Sequence, residues 1–152
     1  MTPIGDILQP DHVNLALAAA TQTDAVEAVL SRLNGDPRVR DFAVLRAAVL
    51  DRNASAIAEN GCGICLAHGR TEAISSIVLA AGRSPEGIPN GINAPVRLVF
   101  VAGIPGAFNS EYLRIVGAIA RICRDKHQLD RLLAAKTSEE FIALLGAGEI
   151  KL

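Results

Sequence analysis

Three short apolar, β-rich runs, Gly61 to Ala67, Ile74 to Ala81 and Val96 to Ala102, lie between segments of helical periodicity. The turn residues Pro85, Glu86, Gly87, Asn90 and Gly91 separate the last two runs. Helices with one apolar stripe bury it by packing on a sheet, so this order predicts an α/β sandwich. Half of the 152 residues are hydrophobic, enough for one buried core in a chain too short for two, and a single domain over residues 1–152 is expected.

Val13 to Ala18 reads as a further short strand after Pro10 and Asp11. A helix is expected from Thr23, with Val26, Val29, Leu30 and Leu33 inward, ending at Asn34-Gly35-Asp36-Pro37. A second, from Arg38 to about Arg52, places Phe42, Leu45 and Val49 on a stripe whose next member is Arg52, so a charged residue continues an apolar face. A long helix from about Ser110 to Arg124 shows Leu113, Val116, Ala120 and Cys123 on one face and Arg114, Arg121 and Arg124 on another. Two shorter helices follow, around Gln128 to Ala135 and from a Thr137 or Ser138 cap to Leu145, with Glu140 three residues after Thr137 supporting the cap.

Fifteen Lys and Arg stand against sixteen Asp and Glu, and the basic residues are scattered, so no concentrated positive field favours nucleic acid or an anionic membrane surface. Met1 to Pro10 lacks a basic start followed by an apolar run, and no apolar stretch approaches the roughly 20 residues that span a bilayer. The expected location is the cytoplasm, with proteins or small molecules as partners. Three cysteines, an odd number, suit a reducing compartment without disulfides. No internal repeat or dividing linker is present.

The chemically suggestive segment is Gly61-Cys62-Gly63-Ile64-Cys65-Leu66-Ala67-His68-Gly69-Arg70, where a histidine closes a buried strand directly before a glycine. Gly69 leaves room for a tetrahedral group and for backbone N–H groups to approach it, while Arg70 and Arg52 are placed to neutralise its charge. A neutral imidazole nitrogen is nucleophilic near pH 7 and forms covalent intermediates, so His68 is a candidate phosphoacceptor. On these residues alone, a hydrogen-bonded structural histidine is the competing reading.

Two longer stretches, Leu66-Ala67-His68-Gly69-Arg70-Thr71 and Gly82-Arg83-Ser84-Pro85-Glu86-Gly87-Ile88, resemble the active-site region of phosphotransferase-system enzyme IIA domains of the fructose/mannitol/nitrogen group. The resemblance continues through Pro95 to Phe100, Glu111-Tyr112-Leu113 and Leu132 to Glu140, so it covers nearly the whole chain. It implies a mixed β-sheet flanked by helices on both sides, no metal or nucleotide cofactor, and a phosphorylated histidine that falls on His68. It also implies that Arg52, the arginine closing the helix before the histidine loop, helps form the phosphate site. The periodicity alone is met equally well by an arginine reaching from a helix end to water. The implied donor is the histidine phosphocarrier protein HPr or its nitrogen-branch relative, and the implied acceptor a sugar-specific IIB protein. The alternative is a regulatory module of the same fold, whose protein targets distinguish the phosphorylated from the free form.

The sequence departs from the family pattern at Ala67, where proline is usual before the histidine, and at Tyr112, where many members carry a second histidine. Tyrosine donates one hydrogen bond to a phosphate but carries no positive charge. The loop Asn53 to Asn60 also departs from the usual Gly- and Thr-containing one.

Cys62-x-x-Cys65 with Cys123-x-x-x-His127 supplies four residues of zinc-ligand type, the second pair at helical spacing. If Cys62 and Cys65 lie in a strand, residues three apart project to opposite faces, and buried thiols are the plainer reading. His12, without a companion, reads as structural or solvated.

Overall fold

The computed structural model describes residues 3–52, 54–106 and 110–149. Its elements run α1 (Ile4–Ile7), β1 (Val13–Asn14), α2 (Gln22–Leu30), α3 (Phe42–Leu50), β2 (Ser55–Glu59), β3 (Cys62–Arg70), β4 (Val78–Ile88), β5 (Val96–Ile104), α4 (Ser110–Arg124), α5 (Lys126–Ala134) and α6 (Ser138–Gly146). The strands form one mixed sheet ordered β1-β4-β5-β3-β2, parallel at β1–β4 and β3–β5 and antiparallel at β4–β5 and β2–β3.

Side chains alternate between the faces of a strand, and both faces are covered. Along β3, Ile64 and Leu66 join Phe100, Ile115, Ile119, Leu132 and Phe141 in the layer of α1, α4, α5 and α6. Cys65 and Ala67 join Val26, Val29, Leu45 and Val49 in the layer of α2 and α3. This is the α/β sandwich with helices on both sides that the sequence predicts. Continued two residues further, the alternation sends His68 toward α4 and Gly69 toward α3.

The helix starts follow side-chain capping. Thr21 accepts from the Asp24 amide, Asp41 from Val44, Asp125 from Gln128 and Thr137 from Glu140, while the Glu140 carboxylate reaches back to the Lys136 amide.

Several boundaries differ from the sequence reading. The helix expected over 38–52 is shorter, Phe42–Leu50, because Asp41 is its cap and Arg38 is held by Asp36. Val39 forms a bridge with Ile74, which therefore lies outside β4. Pro85 to Gly87 do not end a strand: β4 runs on to Ile88 through an irregularity that begins after Arg83. The strand expected over 13–18 keeps two residues. β2 was not expected, although Asn60-Gly61 is a strong hairpin signal; both turn residues have positive φ, 52° and 76°, as a two-residue turn matched to strand twist requires. The buried face of α4 is Ile115, Ala118, Ile119, Ile122 and Cys123, and Leu113 is 61 % exposed, so the inward stripe lies to one side of the expected one.

Two buried polar clusters tie the layers together. Asp36, 7 % exposed, receives the Arg38 amide at 2.8 Å and its guanidinium at 3.0 and 2.8 Å, and His12 packs beside it with Nε2 at 3.6 Å. His12 is thus structural, and its burial lowers its pKa against the opposing pull of Asp36. Arg83 donates to the carbonyls of Leu15, Leu132 and Ala135, tying β4 to the end of α5. Removing a charged donor leaves those carbonyls without it, so Arg83→Met is expected to destabilise the fold by roughly 1–3 kcal/mol, read as a lower urea midpoint at unchanged slope.

Candidate functional site

β3 lies inside the sheet between β5 and β2, and its last three residues, His68, Gly69 and Arg70, pair with Ala102, Gly103 and Ile104 of β5. β2 pairs with β3 only as far as Leu66, so among the described residues the His68 backbone is held in the sheet by β5 alone. The side chain is half-buried on the α4 side, where the Tyr112 ring lies 4.8 Å away, centroid to centroid, at an interplanar angle of 41°. Tyr112 is in the first turn of α4 and is half-buried; burial raises its pKa, so at neutral pH it is an uncharged phenol.

Gly69 points the other way. A Cβ there would sit 2.7 Å from the Val49 amide nitrogen and 2.9 Å from the Ala48 carbonyl carbon, closer than side-chain carbons come to backbone. The space that glycine opens is filled by α3, whereas the sequence reading gave it to the phosphate; the glycine serves the approach of helix to strand. That approach sets where α3 ends. Asp51 is its C-cap, and Arg52 follows in the chain, exposed, with Nη1 3.2 Å from His68 Nε2.

A guanidinium has only donors, so in this contact Nε2 is the acceptor and the ring proton belongs on Nδ1. The Nε2 lone pair thereby points toward the side from which Arg52 approaches. Partial burial lowers the His68 pKa first, and the positive charges of Arg52 and then Arg70 lower it further, all favouring the neutral, nucleophilic ring. Arg70 is exposed at the strand end.

Of the residues that the sequence singles out, His68, Arg52 and Tyr112 are brought into direct contact and Arg70 lies within electrostatic reach. Ala67 is buried on the α3 side and lines a cavity of about 400 Å³ with Gln22, Thr23, Val26, Val49, Leu50, Ala54 and Arg52. Its small side chain on that wall was not a residue the sequence marked for shape. The loop that begins at Asn53 opens outside the described residues, and its remainder is mostly β2.

The cysteines stand apart from this site. Cys62 and Cys65 belong to opposite layers, and Asp125 breaks the helix between Cys123 and His127. All three thiols are buried and free; burial raises each, Cys65 to about 11 and Cys123 to about 12, so they are protonated at neutral pH. Among the described residues no three His, Cys, Asp or Glu side chains gather as a metal site would need.

Comparison with known proteins gives one consistent result. The family model described as "Phosphoenolpyruvate-dependent sugar phosphotransferase system, EIIA 2" matches residues 6–147. The fructose-specific EIIA component of Haloferax volcanii is 29% identical over 141 residues, 91% of this chain and 92% of that protein. Among solved structures, the nitrogen regulatory protein IIA-Ntr of Neisseria meningitidis superposes with a TM-score of 0.79 at 20% identity, covering 93% of this chain and 98% of that one. Enzyme IIA mannitol of Escherichia coli, solved in complex with phosphorylated enzyme IIB mannitol, gives 0.73 at 19% identity over 92% and 99%.

The Arg52 contact has a direct spectroscopic consequence. In an NMR titration His68 is expected to titrate below 6.5 as the Nδ1–H tautomer, and Arg52→Gln to move its pKa upward by removing one cation while leaving the burial.

Proposed function

The chain belongs to the EIIA 2 family of the phosphoenolpyruvate-dependent sugar phosphotransferase system, and from that membership we propose that His68 is the residue that accepts and releases the phosphoryl group, through Nε2. A protein of this family is a phosphocarrier, a phosphotransferase component that works through a phosphohistidine. The observation that carries the assignment to His68 is its contact with Arg52, which fixes Nε2 as the unprotonated nitrogen.

In the transfer, the Nε2 lone pair forms the new N–P bond as the donor's N–P bond breaks, and that bond's electron pair stays on the donor's ring nitrogen. The proton on His68 Nδ1 remains in place, so the step needs no general base. The incoming group carries about two negative charges beside Arg52 and Arg70, which stabilise it without covalent chemistry of their own. Tyr112 packs against the ring and limits how it turns, and its hydroxyl is one uncharged donor for the phosphate. Gly69 acts at one remove, by letting α3 carry Arg52 to the site.

The donor on this reading is phosphorylated HPr or its nitrogen-branch relative, and the acceptor a IIB protein; enzyme IIA mannitol, with the same fold, has been seen with its IIB partner. The second reading is a regulatory module that signals by the phosphorylation state of the same histidine; the fold, shared with IIA-Ntr and with IIA mannitol alike, is compatible with both. The protein works in the cytoplasm on either reading; no described helix is long and apolar enough to cross a membrane.

Incubation with phosphoenolpyruvate, enzyme I and HPr, followed by intact mass measurement under non-acidic conditions, tests the assignment. One added phosphoryl group is expected on the wild type and none on His68→Ala; labelling that survives the substitution would sink the assignment. Arg52→Gln is expected to slow labelling by roughly 10-fold, less than for a donor in a water-excluded site because Arg52 is exposed and screened by solvent. As pH falls, the midpoint of the loss of wild-type rate is expected below 6.5, at the lowered His68 pKa, where protonation removes the Nε2 lone pair.

A further inference from the structure

The sheet ends on one side in β1, only two residues long, and on the other in β2, five residues long and open along its outer edge. Open edges are templates for another strand, and proteins block them with charge, proline or a bulge. Ser55 to Ala58 contain no charge and no proline, and the β2–β3 register runs without a shift.

The register also says which backbone groups face outward. In a hairpin with the two-residue turn Asn60-Gly61, the flanking pair Glu59–Cys62 is hydrogen-bonded, and bonded pairs then alternate at Ile57–Ile64 and Ser55–Leu66. The Gly63 amide bonds to the Pro95 carbonyl instead, as it must if Ala58–Gly63 is an unbonded pair. The amides and carbonyls of Ala56 and Ala58 therefore point away from the sheet, and no described residue bonds them.

We propose that β2 is a homodimerisation strand, pairing antiparallel with β2 of a second copy of this chain about a two-fold axis at Ile57. The outward groups are symmetric about that residue, so Ala56 meets Ala58 of the second copy and Ala58 meets its Ala56, completing four hydrogen bonds with both partners in one conformation. The charges allow it: Glu59 comes opposite an uncharged Ser55 and is already beside Arg124 of its own chain, at 3.8 Å, so no like charges face across the axis. The side chains allow it as well. Ala56 and Ala58 are small and exposed on the face that no helix of the α2–α3 layer covers at this edge, and half-buried Ile57 meets its copy on the α4 side. The inference goes beyond the phosphoacceptor reading and does not rest on it.

Sedimentation velocity of the full chain from about 1 µM to about 1 mM, the range in which weak interfaces dissociate, provides the test. The mass is expected to rise toward twice that of the chain. Ala56→Lys combined with Ala58→Lys puts like charges opposite each other and is expected to weaken the dimer at least 10-fold. Ala56→Lys combined with Ala58→Glu puts opposite charges there and is expected to restore it, with far-UV circular dichroism confirming that both variants fold. In the wild type, hydrogen exchange at the Ala56 and Ala58 amides is expected to slow as concentration rises. A wild type that stays monomeric throughout, a dimer indifferent to the double lysine variant, a charge-swapped variant as weak as the double lysine one, or exchange independent of concentration would each overturn the proposal.

Discussion

At Gly69 a strand and a helix meet with no side chain between them. With a Cβ only 2.7 Å from the Val49 amide nitrogen, any other residue would push the last turn of α3 away from β3. The arrangement of the site follows from that one contact, because the residue carried past the end of α3 is Arg52 and its reach to His68 is a single hydrogen bond of 3.2 Å. A displacement of about 1 Å is enough to turn such a bond into a water-mediated one. On the opposite face, Ile115 and Ile119 seat α4 on the sheet and so fix where Tyr112 meets the ring. The histidine is therefore set by two independent packings, one for each face of the strand that bears it.

The electrostatics of the site are asymmetric in a way that suits a carrier. Among the described residues, the charges that act on His68 are those of Arg52 and Arg70, both positive, and Tyr112 is an uncharged phenol whose pKa burial raises further. Before transfer this arrangement favours an uncharged ring. On the proposed assignment the same cations face a dianionic group after transfer, so one set of charges promotes both states. Arg52 is exposed, however, so solvent screens any hold it has on a phosphate at His68. A fully buried cation would bind the group more tightly and release it more slowly.

Legibility in the sequence followed the length and regularity of the elements. The apolar runs of β3 and β5, the helix read from Thr23, which starts at Gln22 under a Thr21 cap and ends at Leu30, and the Thr137–Glu140 cap could be read because periodicity and capping are local properties. The limits of α3 could not, because a distant contact decides them: Arg38 is withdrawn from the helix by Asp36, and Val39 by its bridge to Ile74. β4 passes through Pro85 and Gly87 because an irregularity in the sheet absorbs them. β2 was legible in principle, since Asn60-Gly61 is a hairpin turn, but its alternation of small residues carries almost no hydrophobic signal. His68 and Arg52 were marked separately, one as a strand-end histidine and one as a charge on an apolar stripe. Their being 3.2 Å apart is a property of the fold.

The same physics bears on whether transport or signalling is the role of the site. A half-exposed His68 packed on the half-buried Tyr112 ring joins a titratable group to an aromatic side chain that a partner can cover. On the proposed assignment, phosphorylation of His68 adds roughly two negative charges beside that ring. On that assignment, a partner that presents cations near His68 gains from the phosphorylated form, and one that presents carboxylates gains from the free form. A transport partner must do more than discriminate, since it has to bring a nucleophile in line with the N–P bond. Relay and signal thus differ in what the partner presents to His68, and the carrier's own geometry serves both.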